Sequence, residues 1–441
     1  MQIDIPIFCI LLVCTFNLLD KEHRIFFSAY TPNVCLIVHL NLFSVILEQK
    51  NMYLSNIRTL RLSCVLFVQL LVLTVVGQEN KAPLMGWSSW NNFRIHINEN
   101  LIKQQADALI STGLYQAGYR YINVDDGYFG GRDSHGKLYV DSTKFPNGMD
   151  GIAAYLHQKG LKAGLYSEGG RNTCGSIWDN DKKGIGVGMY GHEQQDAELF
   201  FKEWNFDFIK IDWCGGLEMK LNDQEQYSKI ISAIRGVKPS ARINICRWQF
   251  PGEWAIKLVD SWRISEDIRN NFGSVLAIID LNKKLNQYSS PGHYNDMDML
   301  QVGRGMTYEE DKTHFSMWCM LNSPLLAGND LTKMSKQTIA ILTNRELIAL
   351  NQDTAFQQAV FMGSDGTVDL WKKQLVGEKN TAIAMLNRSD KAVDYHLDSK
   401  KFQISPNAKV RDLWIKKDLG RLSDIKTLRI PPHGIVVLKT K

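Results

Sequence analysis

Acidic side chains recur in this chain at the ends of short apolar segments. In the clearest case, apolar residues from Phe206 onward lead to Asp212, immediately before a loop that begins at Trp213. Similar segments end in Asp125 and Asp126, in Glu168, in Glu266 and Asp267, and in Asp296 and Asp298. The carboxyl ends of the strands of a closed parallel barrel meet on one face, which is where barrel enzymes hold their active sites. The pattern therefore predicts an enzyme that works through carboxylates.

Two carboxylates on either side of a glycosidic bond are sufficient for glycoside hydrolysis. Asp212 ends the fourth predicted strand and Asp267 follows the sixth, so both should project over the same barrel mouth. Lys210 shares the strand face of Asp212, and its charge would keep that carboxylate ionised; Arg263 can act similarly on Asp267. For any single aspartate, helix capping or structural pairing explains the sequence equally well, so the pattern carries weight only as a set.

The sequence alone leaves the roles of two pairs of residues, and of one tryptophan, open. Asp125 and Asp126 are adjacent, and regular pleating would point them to opposite faces. If both face one pocket, the backbone has left strand geometry there, which suits a pair of acceptors for sugar hydroxyls. Cys174 and Cys214 follow the third and fourth predicted strands, and their spacing is weak support for a disulfide. Trp90, taken alone, is more often a core residue than a sugar platform.

Strand-like and helix-like segments alternate between residues 82 and 355. The strand candidates are Met85–Trp87, Tyr119–Asp125, Lys162–Tyr166, Asp207–Asp212, Arg242–Cys246, Ser261–Ser265, Tyr294–Met297 and Pro324–Ala327. The segments with helical apolar spacing are Glu99–Thr112, Met149–Lys159, His192–Trp204, Glu225–Val237 and Tyr308–Asn322. This alternation predicts an α/β fold, a (β/α)8 TIM barrel over residues 82–355. No GxGxxG turn follows the first strand, which argues against a dinucleotide-binding sheet.

After residue 355 the pattern changes to short β-type runs separated by turn signals. The runs are Ala359–Met362, Val368–Trp371, Thr381–Met385, Ala392–His396, Ala408–Asp412 and Thr427–Leu438. We interpret residues 356–441 as a small C-terminal antiparallel β-sandwich domain without a catalytic cluster of its own.

The composition is that of an ordinary globular protein. Of the 441 residues, 44% are hydrophobic and 22% are charged. A formal net charge of +5 without a dense Lys/Arg run argues against a nucleic-acid partner. No CxxC pair and no His/Cys cluster with metal-ligand spacing occurs in the sequence, so we expect neither a metal nor another cofactor.

The first 77 residues differ from the rest. Residues 1–51 carry scattered apolar patches, and we interpret them as an upstream extension that does not fold. From Met52, a basic stretch, an apolar run over 62–76 and Gly77 follow the layout of a secretory signal peptide. The apolar run is shorter than the roughly 20 residues of a membrane span. We therefore predict a signal peptide at residues 52–77, export, and no stable membrane span in the mature chain; a membrane anchor is the alternative.

Several motifs in register closely resemble glycoside hydrolase family 27, the family of α-galactosidases and α-N-acetylgalactosaminidases. The motifs are APLMGWSSWN (82–91), NVDDGY (123–128), FPNG (145–148), KGLKAGLY (159–166), KIDWC (210–214) and NDMDML (295–300). The resemblance implies a (β/α)8 barrel followed by an antiparallel β domain. It also implies hydrolysis of terminal α-galactosides with retention of configuration at the anomeric carbon.

The resemblance assigns roles to individual residues. By its motifs, Asp212 matches the nucleophile and Asp267 the general acid and base. Asp125 and Asp126 match the acceptors for the sugar's 6- and 4-hydroxyls, and Cys174 with Cys214 matches a disulfide beside the pocket. The further sugar contacts that the resemblance implies are Lys210, Arg263, Asp298, Trp90 and Tyr166.

The chain departs from the family pattern in two places. Arg247 stands where many relatives carry glutamate, in the loop that reaches the sugar's 2-position. A bulky cation there argues against an N-acetylgalactosamine specialist, though it could donate to a 2-hydroxyl. The segment Gly175–His192 resembles an insertion near the mouth, which would shape the site of the leaving group.

Two alternatives to an α-galactosidase stay open. A β-L-arabinopyranosidase of the same family would act on a sugar that lacks the hydroxymethyl group of galactose; paired aspartates at 125 and 126 leave room for that group and favour galactose. A non-catalytic carbohydrate-binding barrel would require loss of a catalytic carboxylate, and both Asp212 and Asp267 are present.

Overall fold

The computed structural model describes residues 27–31, 34–38, 82–378 and 380–440. The chain divides into two units, Met1–Thr74 and Val75–Lys441. In the first unit, β1 (Phe27–Thr31) and β2 (Val34–Val38) pair antiparallel. The rest of the predicted extension, and the whole predicted signal peptide at residues 52–77, lie outside the described residues, so both interpretations stay predictions.

The second unit begins with a parallel barrel. Its strands are β3 (Met85–Ser88), β4 (Tyr121–Val124), β5 (Phe129–Arg132), β6 (Leu138–Val140), β7 (Lys162–Glu168), β8 (Phe208–Asp212), β9 (Arg242–Ile245), β10 (Ser261–Arg263), β11 (Tyr294–Asp296) and β12 (Leu325–Ala327). β5 and β6 form a separate hairpin, and the other eight pair in the order β11-β10-β9-β8-β7-β4-β3-β12. A parallel bridge between Leu300, just beyond β11, and Ala327 closes the sheet. The predicted (β/α)8 barrel is confirmed, including all eight predicted strands.

Buried β-branched residues explain why these short segments form strands. Ile209 and Ile211 in β8, and Ile243 and Ile245 in β9, are at most 1% exposed. A strand covered on one side by the barrel interior and on the other by helices needs apolar residues on both faces, which gives continuous apolar runs. Acidic residues follow at the carboxyl ends, as Asp212 does in β8, and Lys210 and Asn244 are polar positions within β8 and β9.

Helices surround the barrel. The α-helices of the unit are Trp90–Phe93, Glu99–Ser111, Leu114–Ala117, Gly148–Gln158, Cys174–Trp178, Glu193–Glu198, Cys214–Glu218, Asp223–Val237, Phe272–Asn282, Tyr308–Met320, Lys336–Leu342 and Arg345–Asn351, with a π-helical turn at Leu199–Glu203. Short 3-10 turns lie at Lys182–Gly184, Glu253–Ala255, Asn286–Tyr288, Leu331–Lys333, Ser399–Phe402 and Leu422–Asp424. Side-chain caps such as Asn98, Asn222 and Thr307 satisfy the free N–H groups at helix starts. In the described part of the chain, no helix has the length and apolar character that crossing a membrane requires.

The C-terminal part of the unit is an antiparallel domain, as predicted. Its strands are β13 (Val360–Asp365), β14 (Val368–Gln374), β15 (Thr381–Asn387), β16 (Val393–His396), β17 (Lys409–Asp412), β18 (Lys417–Arg421), β19 (Thr427–Ile430) and β20 (Ile435–Thr440). Six of them form a sheet in the order β13-β14-β15-β20-β17-β18, and β16 pairs with β19. The sequence reading missed β18 because its residues are polar and largely exposed, and it merged β19 with β20 across the turn at 431–434.

Charged contacts attach this domain to the barrel helices. Arg411 pairs with Glu346 at 2.7 Å, and Arg388 pairs with Asp280 at 2.7 Å. The buried Nζ of Lys373 donates to the carbonyl of Met320, the last residue of the helix Tyr308–Met320, at 3.2 Å. The domain thus covers the outside of the barrel through the helices that carry Glu346 and Asp280.

Candidate active site

Asp212 lies at the floor of the barrel mouth, at the end of β8, and is 4% exposed. Its Oδ1 accepts a hydrogen bond from the backbone N–H of Trp213 at 3.1 Å, which fixes the carboxylate. Its Oδ2 lies 3.6 Å from the Nζ of Lys210, two residues earlier on the same strand face. The Lys210 ammonium also donates to Oδ2 of Asp125 at 3.2 Å. One cation therefore links the ends of β4 and β8.

Asp125 and Asp126 follow β4 directly, beyond the last residue of the strand. Asp125 is 3% exposed, and its Oδ1 accepts the backbone N–H of Asp126 at 2.9 Å. Asp126 is fully buried and accepts backbone N–H groups from Gly127 at 2.7 Å and Gly175 at 2.6 Å. The backbone has left strand geometry at these two residues, and their role as a pair of acceptors stays a prediction. Asp126, however, also supports the helix that begins at Cys174.

Arg263 organises the opposite side of the mouth. It ends β10, is 3% exposed, and donates from Nη2 to Oδ1 of Asp267 at 3.0 Å. The same Nη2 lies 2.8 Å from Oδ2 of Asp298, which also accepts the backbone N–H of Ile268 at 2.8 Å. Asp298 has a left-handed φ of 74°, a strained conformation for a residue with a side chain. Through its bond to Ile268, Asp298 connects the loop that carries Asp267 to the end of β11.

The two predicted catalytic carboxylates differ in exposure and in acidity. The side chain of Asp267 is 60% exposed, whereas Asp212 is buried. Burial raises the pKa of Asp212 to about 6, against the opposing charge of Lys210 and with the help of the negative charge of Asp267. Desolvation also acts to raise the pKa of Asp267, but the charges of Arg263 and Lys210 outweigh it and hold that pKa below its usual range. The charge of Asp267 is thus one cause of the raised pKa of Asp212, which links the two groups electrostatically.

The end of β7 supports the disulfide beside these groups. Cys174 and Cys214 are bonded, with their Cα atoms 5.1 Å apart, which confirms the disulfide. The hydroxyl of Tyr166 accepts the N–H of Cys174 at 3.1 Å, and its ring centre lies 5.5 Å from the Lys210 ammonium. Glu168 is fully buried and accepts the N–H of Cys214 at 3.0 Å; burial raises the pKa of Glu168 well above its ordinary value.

The two remaining predicted contacts, Trp90 and Arg247, follow β3 and β9. Trp90 is 8% exposed and opens the short helix after β3, with the guanidinium of Arg94 at 4.3 Å from its ring centre. Arg247 lies in the loop after β9, where its Nη1 pairs with Oδ2 of Asp223 at 2.5 Å. Because Asp223 already binds this guanidinium, Arg247 has fewer donors left for a sugar hydroxyl than the sequence alone indicates.

Ion pairs bring together most of the predicted site. One group contains Asp125, Lys210 and Asp212, and the other contains Arg263, Asp267 and Asp298. A cavity of about 30 Å³, with room for about two water molecules, is lined by four members of these groups, Asp125, Lys210, Arg263 and Asp298, whereas Asp212 and Asp267 do not line it. Its polar lining includes Asn123, Asn244 and Asp296.

Sequence reasoning gave no role in the site to Arg94, Glu168 or Asn244. Glu168 carried a usable signal, because it ends an apolar strand in the same way as Asp212 does. Asn244 is the polar residue inside the apolar strand β9, and it donates to Asp296 at 2.8 Å, which is another signal of an inward-facing group. Nothing local marks Arg94, whose position depends on a partner far along the chain.

Glu168, Cys174 and Cys214 are the one group of close-lying potential metal ligands that the described residues contain. The two sulfurs form a disulfide with each other, so neither is a thiolate, the form of cysteine that binds metals. The expectation of no metal and no cofactor stays a prediction.

Comparison with known proteins agrees with this geometry. A family model described as "Alpha galactosidase A" matches residues 82–353, and one described as "Alpha galactosidase C-terminal beta sandwich domain" matches residues 365–440. The chain is 39% identical to Alpha-galactosidase A of Cellvibrio japonicus, over 81% of this chain and 92% of that protein. It is 38% identical to Alpha-galactosidase 2 of Arabidopsis thaliana, over 80% of this chain and 88% of that protein.

A solved structure extends the likeness to the fold. The crystal structure of alpha-galactosidase I from Mortierella vinacea superposes with a TM-score of 0.74 at 31% identity, covering 81% of this chain and 96% of that one. The barrel, the paired carboxylates at its mouth and these matches agree, and the chain belongs to the α-galactosidase family, glycoside hydrolase family 27.

Proposed function

We propose that this protein is a retaining α-galactosidase that removes terminal, non-reducing α-D-galactosyl residues from oligosaccharides or glycoconjugates. Its family and the activities that its relatives' names give support the reaction. The observation that carries the proposal is the pair of carboxylates at the barrel mouth, buried Asp212 and open Asp267, which both feel the charge of Lys210. Retention requires such a pair about 5 Å apart, one attacking and one transferring protons.

The proposed reaction has two steps at the anomeric carbon. In the first, the carboxylate of Asp212 forms a bond to that carbon while the glycosidic C–O bond breaks, and Asp267 gives its proton to the departing oxygen. In the second, the carboxylate of Asp267 takes a proton from water, whose oxygen attacks the same carbon and displaces Asp212. Burial suits Asp212 to a nucleophile that water cannot solvate, and exposure suits Asp267 to a group that serves both the leaving group and water.

Asp125, Asp126 and Lys210 support the choice of galactose. The carboxylate of Asp125 lies beside the Lys210 ammonium, and that of Asp126 follows it directly in the chain. Both can accept hydrogen bonds from the axial 4-hydroxyl and the 6-hydroxyl, and a buried acceptor left unpaired by another epimer costs roughly 1 to 3 kcal/mol. A β-L-arabinopyranoside lacks the 6-hydroxyl and would leave one acceptor without a partner. The same reasoning places the arabinopyranosidase alternative second.

A panel of p-nitrophenyl glycosides tests the proposal. We expect the α-D-galactoside to be cleaved with the highest kcat/KM, ahead of the β-L-arabinopyranoside and the α-N-acetylgalactosaminide. Preference for the arabinopyranoside would replace the proposed substrate by the alternative of the same family. Binding of galactose without cleavage of any glycoside would show a carbohydrate-binding barrel instead.

The coupled pair predicts an acidic pH profile. The reaction needs one proton on the pair, held by Asp267, while Asp212 is ionised. The pKa of Asp212 is raised to about 6 by burial and that of Asp267 is lowered below its usual range, so the one-proton form exists between these two values and is lost above about pH 6. In the free enzyme that proton resides mainly on Asp212, but both arrangements rise and fall together with pH. We expect kcat/KM on p-nitrophenyl α-galactoside to fall about tenfold per unit above pH 6.

The variant Asp267→Ala is the control for this profile. Other buried carboxyls titrate nearby, since burial raises the pKa of Asp298 to about 6 and that of Asp126 to about 7. Both remain in the variant, which should nevertheless lose the decline at alkaline pH, because its residual activity needs only ionised Asp212. A wild-type profile that stays flat from pH 6 to 8 contradicts the coupling.

Export is the second part of the proposal. A signal-like pattern at residues 52–77 and a disulfide between Cys174 and Cys214 both support an oxidising compartment outside the cytosol. N-terminal sequencing of protein recovered from the exported fraction should give a first residue just after Gly77. A first residue upstream of Met52 would contradict this interpretation.

A further inference from the structure

Trp178 is an exposed aromatic residue at the end of a short helix that several bonds hold in place. It ends the helix Cys174–Trp178, and the residue is 70% exposed. The start of this helix is held by the disulfide of Cys174 and by the bond from the Gly175 N–H to Asp126 at 2.6 Å. Single exposed apolar residues are common on protein surfaces and need no explanation by themselves. Trp178 differs from those residues because bonds hold both ends of its helix in place.

Arg94 holds the C-terminal end of the helix through an ion pair with Asp179. Directly after Trp178, the carboxylate of Asp179 accepts four bonds from the Arg94 guanidinium, at 2.7 to 3.1 Å. The same guanidinium lies 4.3 Å from the ring centre of Trp90. A bidentate pair that also stacks on an aromatic ring has little freedom of orientation. Trp178 is therefore placed beside the short helix that follows β3.

A continuous set of bonds connects this region to the loop of Asp267. Arg304 donates to the backbone carbonyl of Asn91, in the same short helix as Trp90, and its own carbonyl accepts from the side chain of Asn270. Asn270 lies three residues after Asp267 in the loop beyond β10. The charge of Arg94 is also close enough to Asp267 to lower the pKa of that carboxyl. The exposed indole and the proton donor thus share one side of the barrel mouth.

We propose that Trp178 is the platform of a leaving-group subsite, on which the ring that follows the scissile oxygen stacks. This inference rests on the proposed function, because it requires Asp267 to protonate that oxygen. The sugar released must pass the Asp267 side of the mouth, where an indole offers a flat apolar surface to the C–H face of a pyranose. The subsite selects substrates in which galactose is α-linked to another sugar, such as raffinose.

The test compares two substrates of the full-length protein. Raffinose carries a sugar as its leaving group, whereas α-galactosyl fluoride releases fluoride, which fills no sugar subsite. We expect Trp178→Ala to lower kcat/KM on raffinose roughly tenfold while leaving hydrolysis of α-galactosyl fluoride unchanged. Trp178→Phe keeps an aromatic surface and should retain most of the activity on raffinose. Ile415→Ala is the matched control, since Ile415 is 63% exposed in the C-terminal domain, and it should change neither rate.

The outcomes separate the subsite from the activity itself. Equal kcat/KM on raffinose for wild type and Trp178→Ala overturns the subsite, as does an equal loss on both substrates, which would indicate a merely structural role. A wild-type protein that cleaves neither substrate refutes the proposed function and with it this inference. An active wild type with a selective loss on raffinose in Trp178→Ala supports both.

Discussion

Asp212→Asn is expected to lower kcat/KM on p-nitrophenyl α-galactoside by at least about 10⁴-fold, as replacement of a covalent nucleophile does in other hydrolases. The amide has nearly the shape of the carboxylate but cannot form the bond to the anomeric carbon. Galactose binding should persist, because the Asp125 carboxylate still holds Lys210 in place at 3.2 Å. Steady-state kinetics together with calorimetric titration of galactose measures both effects.

The same substitution should not weaken the fold. Burial raises the pKa of Asp212 from its ordinary value to about 6, so the folded protein binds this proton more tightly than the unfolded chain does. Above about pH 6 the ionised carboxylate therefore lowers stability, and a neutral asparagine removes that effect. The Tm of Asp212→Asn at pH 7 is expected to be no lower than that of the wild type.

Asp311→Asn is the matched control for this variant. Asp311 is also buried, at 6% exposure, and burial raises its pKa to about 7, but it lies in the helix Tyr308–Met320 and accepts the N–H of Gly303. Its replacement should leave kcat/KM unchanged. Near-normal turnover by Asp212→Asn, or an equal loss in Asp311→Asn, would show that the nucleophile is assigned wrongly.

Asp267→Ala is expected to separate substrates by their leaving groups. Hydrolysis of raffinose should fall by about 10² to 10⁴-fold, the usual contribution of a general acid, since a sugar alkoxide cannot leave without a proton. Cleavage of p-nitrophenyl α-galactoside should fall less in its first step, because p-nitrophenolate leaves unprotonated. The second step still lacks its base, so a burst of p-nitrophenolate should precede slow turnover. Stopped-flow absorbance measures the burst and the steady state together.

Asp418→Ala provides a control of similar exposure. The Asp418 side chain is 58% exposed and pairs with Arg411 at 3.2 Å in the C-terminal domain, as Asp267 pairs with Arg263 at 3.0 Å. Loss of such a surface pair changes stability little and should leave both substrates unaffected. An Asp267→Ala enzyme that loses equal factors on raffinose and on p-nitrophenyl α-galactoside, without a burst, would contradict the assigned role.

Azide distinguishes the two carboxylates by the product that it forms. In Asp212→Gly, azide can enter the vacated space and displace p-nitrophenolate directly, which gives β-galactosyl azide. In Asp267→Ala, the intermediate on Asp212 still forms, and azide attacks it from the opposite side, which gives α-galactosyl azide. Each azide adduct has its own coupling at the anomeric proton, so NMR of the isolated products assigns the roles independently of rates. Exchanged products would reverse the assignment.

The parts of the fold that repeat a pattern could be predicted from the sequence. Buried runs such as the one ending at Asp212 specify barrel strands because both faces of each strand are covered. The acidic residues at their ends could then be placed on one face by topology alone. Strand β18 could not be found in this way, since the polar segment Lys417–Arg421 pairs through its backbone and leaves no apolar pattern.

Several features of the site could not be predicted because they depend on partners that are distant in sequence. Asp223 binds Arg247 across a loop, which changes what a cation at that position can offer a sugar. Asp179 binds Arg94 from 85 residues away, and this pair fixes the exposed Trp178. The opposite pKa shifts of Asp212 and Asp267 likewise depend on burial and on neighbouring charges that only the folded chain brings together.

The anomer of the first product tests the two-step reaction through Asp212 most directly. NMR spectra recorded within the first minutes of p-nitrophenyl α-galactoside hydrolysis show which galactose anomer appears before mutarotation mixes the two. Double displacement through Asp212 inverts the anomeric carbon twice and predicts α-galactose first. Initial release of β-galactose would mean that water attacks directly, and it would contradict the assignment of Asp212 as a covalent nucleophile.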